Sequence, residues 1–175
     1  MKQLRILFVL FYPLLSFSQK DEVEWKKHSN SKFSISYPEN WDLQESSNSN
    51  SEFLILSSQK ESENDIFVEN VSLLIQQTDK DLNLQLNEFV SSIISQLDGF
   101  LIDFELIENT SYTKNGLTFK RLIYTGVKND IDTYFTQLFC ILNGKTFMLT
   151  FVSETDNLEL YEKTAEQIMN SFELK

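Results

Sequence analysis

The stretch from Thr133 to Ser153 constrains the fold of this chain more than any other. Two strand-like runs, Thr133 to Leu142 and Thr146 to Ser153, flank Asn143-Gly144. Asn-Gly accepts the positive φ angles of a tight two-residue hairpin turn, so the two runs are expected to pair antiparallel. Both runs are apolar on both faces, with Leu138 and Cys140 on one side and Phe139 and Ile141 on the other. A strand that is greasy on both faces has to lie inside a sheet that is covered on both sides.

The rest of the chain can supply such a sheet and its cover. Phe33 to Tyr37 alternates apolar and polar residues, as a strand does. Pro38 ends it, because proline has no N–H to give a ladder. Pro38-Glu39-Asn40-Trp41 reads as a turn that returns Trp41 to the core. Residues 44–52 read as a polar loop, Phe53 to Leu56 as a short strand, Gln59 to Asp65 as an acidic loop, and Ile66 to Gln77 as a longer strand. Thr78 to Asp81 offers helix N-caps. Leu82, Leu86, Phe89, Val90, Ile93, Ile94 and Leu97 recur at three- and four-residue steps, which predicts an amphipathic helix with Gly99 just past its end. Phe104 to Tyr112 and Leu117 to Gly126 flank a second tight-turn signal, Asn115-Gly116, and residues 128–132 read as a further turn. A last helix is expected from Asp156, with Asp156-x-x-Glu159 as a capping box and a stripe through Leu158, Tyr161, Ala165, Ile168, Met169 and Phe172. Hairpins imply an antiparallel sheet, and doubly apolar strands imply layers on both faces. The expected fold is therefore α+β: an α-β-α sandwich with helices on both faces of a central antiparallel sheet, built as one domain over residues 31–175.

The first residues read as a separate unit. Lys2 and Arg5 precede an apolar run, Ile6 to Leu15, and Ser16-Phe17-Ser18 places small residues where a signal peptidase cuts. Residues 1–18 are expected to be a secretory signal peptide, and residues 19–30 a flexible mature N-terminus from which Trp25 can dock. The apolar run is about half the roughly 20 residues that a spanning helix needs. Loss of Lys2 and Arg5 takes the formal net charge from −11 to −13. A domain this acidic repels nucleic acid and anionic lipid, and its charge reads first as solubility, then as attraction to a basic partner or divalent cations. The single cysteine, Cys140, allows no internal disulfide and lies in an apolar run, as a structural thiol does. The sole histidine, His28, falls in the segment expected to be flexible.

No pattern of reactive residues stands out. Asp79-x-Asp81, Asp130-x-Asp132 and the group Glu61, Glu63 and Asp65 place carboxylates in turns, but none has the twelve-residue calcium loop. Asp130 and Asp132 are the best candidates for a metal site in this weak set. A nucleophile elbow, a His/Cys zinc cluster and a glycine-rich phosphate loop are all missing from the sequence. No cofactor is expected.

The element order, with Phe33-Ser-Ile-Ser-Tyr-Pro-Glu-Asn-Trp41 near its start, the Asn143-Gly144 hairpin, and Ala165-Glu-Gln-Ile-Met-Asn-Ser-Phe172 at its end, resembles the PsbP-like family over about residues 24–175. The resemblance implies an α-β-α sandwich and a binding or accessory role, with no shared catalytic set to carry over. The reading is thus a non-enzymatic, exported accessory or protein-binding domain of the bacterial cell envelope, periplasmic or secreted. Its expected partner is another envelope or secreted protein, with no nucleic acid and no stable membrane anchor after signal cleavage. The alternative is a small-ligand or metal-ion binding module with a pocket between sheet and helix.

Overall fold

The computed structural model describes residues 23–175 apart from 49–50, 64 and 78–84. The expected signal peptide, residues 19–22 and the cap candidates Thr78 to Asp81 with Leu82 lie outside the described residues.

Among the described residues, a seven-stranded antiparallel sheet forms the body of the fold. In chain order it contains β3 (Asp42–Ser47), β4 (Ser51–Ser57), β5 (Asn70–Gln77), β6 (Ile102–Lys114), β7 (Leu117–Lys128), β8 (Ile131–Leu142) and β9 (Lys145–Glu154), and in space the order is β3-β4-β5-β9-β8-β7-β6. The β8–β9 hairpin sits in the middle, where its doubly apolar strands require it to be. Three turns fix the register of the β6–β9 meander, and all three have positive φ at both central residues: 52° and 77° at Asn115-Gly116, 53° and 64° at Asn129-Asp130, and 52° and 70° at Asn143-Gly144. That geometry matches the right-handed twist of the strands it joins.

Because side chains alternate along a strand, the sheet has two separate apolar faces. On one, Leu122, Tyr124, Phe135 and Phe139 cluster with Val90 of α1 (Leu86–Phe100). On the other, Phe119, Leu138, Cys140 and Leu149 cluster with Ala165, Ile168 and Met169 of α2 (Leu158–Ser171) and with Phe33 and Ile35. The last two residues belong to a separate three-stranded sheet, β1 (Trp25–Ser29), β2 (Phe33–Pro38) and β10 (Glu173–Leu174), with β2 at its centre. Ser171 Oγ of α2 accepts the Ser36 N–H at 2.8 Å, which fixes the helix against this small sheet.

Several boundaries depart from the sequence reading. Trp25–Ser29 is a strand rather than part of a flexible N-terminus, because β2 supplies the ladder partners that a polar segment cannot find by itself. The polar loop expected over 44–52 is in large part strand, since β3 is an edge whose side chains need no apolar period. β5 starts at Asn70, not Ile66; the Asp65 carboxylate accepts the N–H groups of Glu61 and Phe67 and holds the preceding chain as a loop. Gly99 lies inside α1, which runs on to Phe100. Asp156 does not cap α2: the N-cap is Asn157, whose amide instead donates to the carboxylates of Glu69 at 3.4 Å and Glu154 at 3.2 Å.

Candidate functional site

The corner Pro38-Glu39-Asn40-Trp41 closes with a hydrogen bond from the Trp41 N–H to the Pro38 carbonyl at 3.0 Å. It aims Trp41 inward, where only 5% of the residue stays exposed and its ring meets Tyr161 of α2 edge-on at 6.4 Å. Tyr161 donates its hydroxyl to Glu61 at 2.9 Å. Burial, then the Glu61 carboxylate, push that hydroxyl up to about 12.

Above this pair the surface opens into a cleft of about 740 Å³ between the β2 corner and α2. Val23, Trp25 and Leu160 are large apolar side chains on its walls, and they are 52%, 41% and 68% exposed. Asn40, Lys163, Thr164 and Gln167 supply polar groups around it. Exposed apolar groups gathered around one cleft and rimmed by polar ones are the anatomy of a docking surface. Tryptophan and tyrosine are also the side chains that most often carry binding energy at such surfaces. The described lining holds no cysteine, histidine or carboxylate; it offers apolar area from Val23, Trp25 and Leu160 and polar groups from Asn40, Tyr161, Lys163, Thr164 and Gln167.

Near the start of α2 lies a polar group that the sequence did not single out. Glu69 is 1% exposed, and its backbone carbonyl accepts the Ser58 N–H at 2.9 Å. Burial raises its carboxyl above the ordinary range, while its own backbone N–H, the Asn157 amide and the Glu154 N–H pull the other way.

The residues marked in the sequence are dispersed. Asp130 is a turn residue with φ of 64°, while Asp132 is on β8 and lines a different cleft, of about 260 Å³, with Asp103 and Asp156. Among the described residues no three His, Cys, Asp or Glu side chains converge closely enough to hold a metal ion. Asp79 and Asp81 are outside the described residues. His28 lies on β1, within 3.0 Å of Glu45 on β3 and 5.6 Å from the Phe33 ring, so it spans the two sheets. Cys140 is buried, and burial pushes its thiol up to about 11, which keeps it protonated and unreactive at neutral pH. The expected kind of pocket between sheet and helix exists beside Arg121, but it holds only about 240 Å³. Its two charged groups, Arg121 and Glu166, already pair with each other at 2.5 Å.

The sequence pattern placed Trp41 and Tyr161 in the core rather than at a site, and gave no role to Val23 or Leu160. The available signal was misplacement. Leu160 falls off the apolar stripe of its helix, and Val23 and Trp25 stand alone in a polar segment.

Comparison with known proteins places this arrangement. The sequence matches the PsbP family over residues 24–174. No curated protein matches it. Among solved structures, cyanobacterial PsbP from Synechocystis sp. PCC 6803 is similar, with 15% identity, a TM-score of 0.64, and coverage of 94% of this chain and 100% of that one. LpqN of Mycobacterium tuberculosis, described as involved in cell envelope biogenesis, has 12% identity and a TM-score of 0.63, with coverage of 94% and 98%. The Saccharomyces cerevisiae Ran-binding protein Mog1p has 10% identity and a TM-score of 0.51, with coverage of 87% and 96%. At these identities the likeness is one of fold.

Proposed function

This chain belongs to the PsbP family, and we propose on that premise that it is an exported, non-enzymatic accessory protein of the bacterial cell envelope. It binds another envelope or secreted protein through the cleft between the β2 corner and α2. The observation that carries this reading is the exposure of Val23, Trp25 and Leu160 around one cleft rimmed by polar groups. The cell-envelope role described for LpqN supports the compartment, as does the signal-like pattern of residues 1–18. We read the two apolar clusters, each with one helix, as the α-β-α sandwich of the family, with the small sheet sharing the cover beside α2.

The test is crosslinking in the native envelope followed by recovery of the protein and mass spectrometry. Trp25→Ala and Leu160→Ser change exposed side chains, so stability should stay within about 0.5 kcal/mol of the wild type. Each is expected to lose a specific crosslinked partner that the wild type retains. Recovery of the same partner in the same yield from both variants would remove this cleft from the function.

A further inference from the structure

Among the described residues β6 is hydrogen-bonded to a strand on one side only, because it ends the strand order of the large sheet. It is also long, with thirteen residues against six in the opposite edge strand, β3. Natural edges are protected by proline, by outward lysine, by short length or by bulges, since an open row of N–H and C=O groups invites another strand. β6 has no proline, and its one lysine, Lys114, is turned onto the Asn170 and Phe172 carbonyls at 2.6 and 2.9 Å. Its register irregularities lie between Ile102 and Glu108; from Glu108↔Ile123 to Lys114↔Leu117 the pairing with β7 is unbroken. The half of the edge from Asn109 to Thr113 is therefore regular and exposed. Tyr112 stands exposed within this half, and Leu106 and Ile107 stand exposed just before it.

We propose that the outer edge of β6 is a second docking site, which takes an extended basic segment of a partner protein as an added strand of the large sheet. Main-chain hydrogen bonds give such a strand its affinity, and side chains at alternate positions give it selectivity. The backbone chemistry of the edge selects an extended occupant, and the charge selects its sign. Asp103 and Glu105 are exposed and form no ion pair among the described residues, whereas Lys114 is occupied. Apolar contacts come from Leu106, Ile107 and Tyr112. A second copy of this chain is a poorer occupant, since it would bring the same strong negative charge, −11 for the full sequence, to the interface.

The test uses the protein with a synthetic peptide of about ten residues, a typical strand length, that alternates valine with lysine. Two control peptides replace lysine by glutamate, or carry N-methyl groups along one backbone edge. Amide hydrogen exchange and the sedimentation mass are read with and without peptide. The lysine peptide is expected to slow exchange of the 109–113 amides by about tenfold or more at saturation. The effect should weaken with added salt. Glu105→Lys and Ile107→Lys, both surface changes, are expected to abolish it, whereas Trp25→Ala leaves it unchanged, which separates this site from the α2 cleft. Equal protection by the glutamate or N-methyl peptide, protection confined to residues around Trp41 and Tyr161, or no protection at all would each overturn the proposal. So would a dimer without peptide in which the 109–113 amides are already protected, because a second copy would then hold the edge.

Discussion

Trp41 fills the angle between the small sheet and α2, with 5% of its surface exposed. Trp41→Ala leaves a cavity among aromatic and aliphatic neighbours that cannot collapse fully, and is expected to cost about 3–5 kcal/mol. Urea unfolding would show this as a lower midpoint, and an unchanged midpoint would place Trp41 outside the energetic core. Glu69 makes a prediction of opposite sign. Its carboxyl is raised by burial, so the folded state favours the protonated form. The stability this adds is fully present below the unfolded-state value of about 4.3, and is lost as pH rises through the higher folded-state value. Glu69→Gln keeps an acceptor for the Asn157 amide and has no charge to bury. Its unfolding midpoint should match the wild type near pH 4 and exceed it near pH 8, as urea titrations at the two pH values would show. Trp41 was legible from its place after Pro38; Glu69 was not, because a carboxylate in a strand-like run reads as a surface residue until the loop from Ser58 and the start of α2 close over it.

At the scale of elements, the two glycines nearest the α1–β6 junction behave differently. A Cβ on Gly126 would lie 2.9 Å from Leu101 Cβ and 3.3 Å from the Ile102 carbonyl oxygen. The chain leaving α1 passes directly over β7 there, so Gly126→Ala is expected to destabilise by about 1–3 kcal/mol. Gly99 is helical, and a methyl group added there would meet nothing within 4 Å. Gly99→Ala is expected to stabilise by about 0.5–1 kcal/mol, by lowering the entropy of the unfolded chain and favouring the helix. Thermal unfolding of the pair checks both signs; equal shifts would mean that the crossing is not tight. The hairpins were readable because Asn-Gly sets φ locally. β1 and β3 were not, because their strand state comes from a neighbour's open ladder rather than from any period of their own. The start of α2 was misplaced for a similar reason: Asp156 fits a capping box locally, yet Asn157 holds that position while tying Glu69 to Glu154.

At the scale of the whole molecule, the C-terminal residues return to the small sheet. β10 pairs with β2 at Ser34 and Phe33, the Lys175 N–H donates to the Lys32 carbonyl at 2.9 Å, and the Lys175 ammonium reaches Ser29 and Asn30. Removal of Glu173–Lys175 is expected to speed amide exchange over Phe33–Ser34 by about tenfold, while the β8–β9 hairpin stays protected. Equal loosening of both sheets would show that the small sheet does not open by itself. The sequence alone determined the central hairpin, the two-faced core, the helical stripes and the inward Trp41, because each follows from turn chemistry or from the period of side chains along one element. Only the tertiary structure decided which apolar residues stay outside. Val23 and Trp25 come from the N-terminal part of the chain and Leu160 from its C-terminal part, and it is the packing of the small sheet against α2 that gathers them at one cleft. The open edge of β6 is likewise a property of strand order, since whether a strand's second row of hydrogen-bonding groups finds a partner depends on its neighbours in space and not on its own residues.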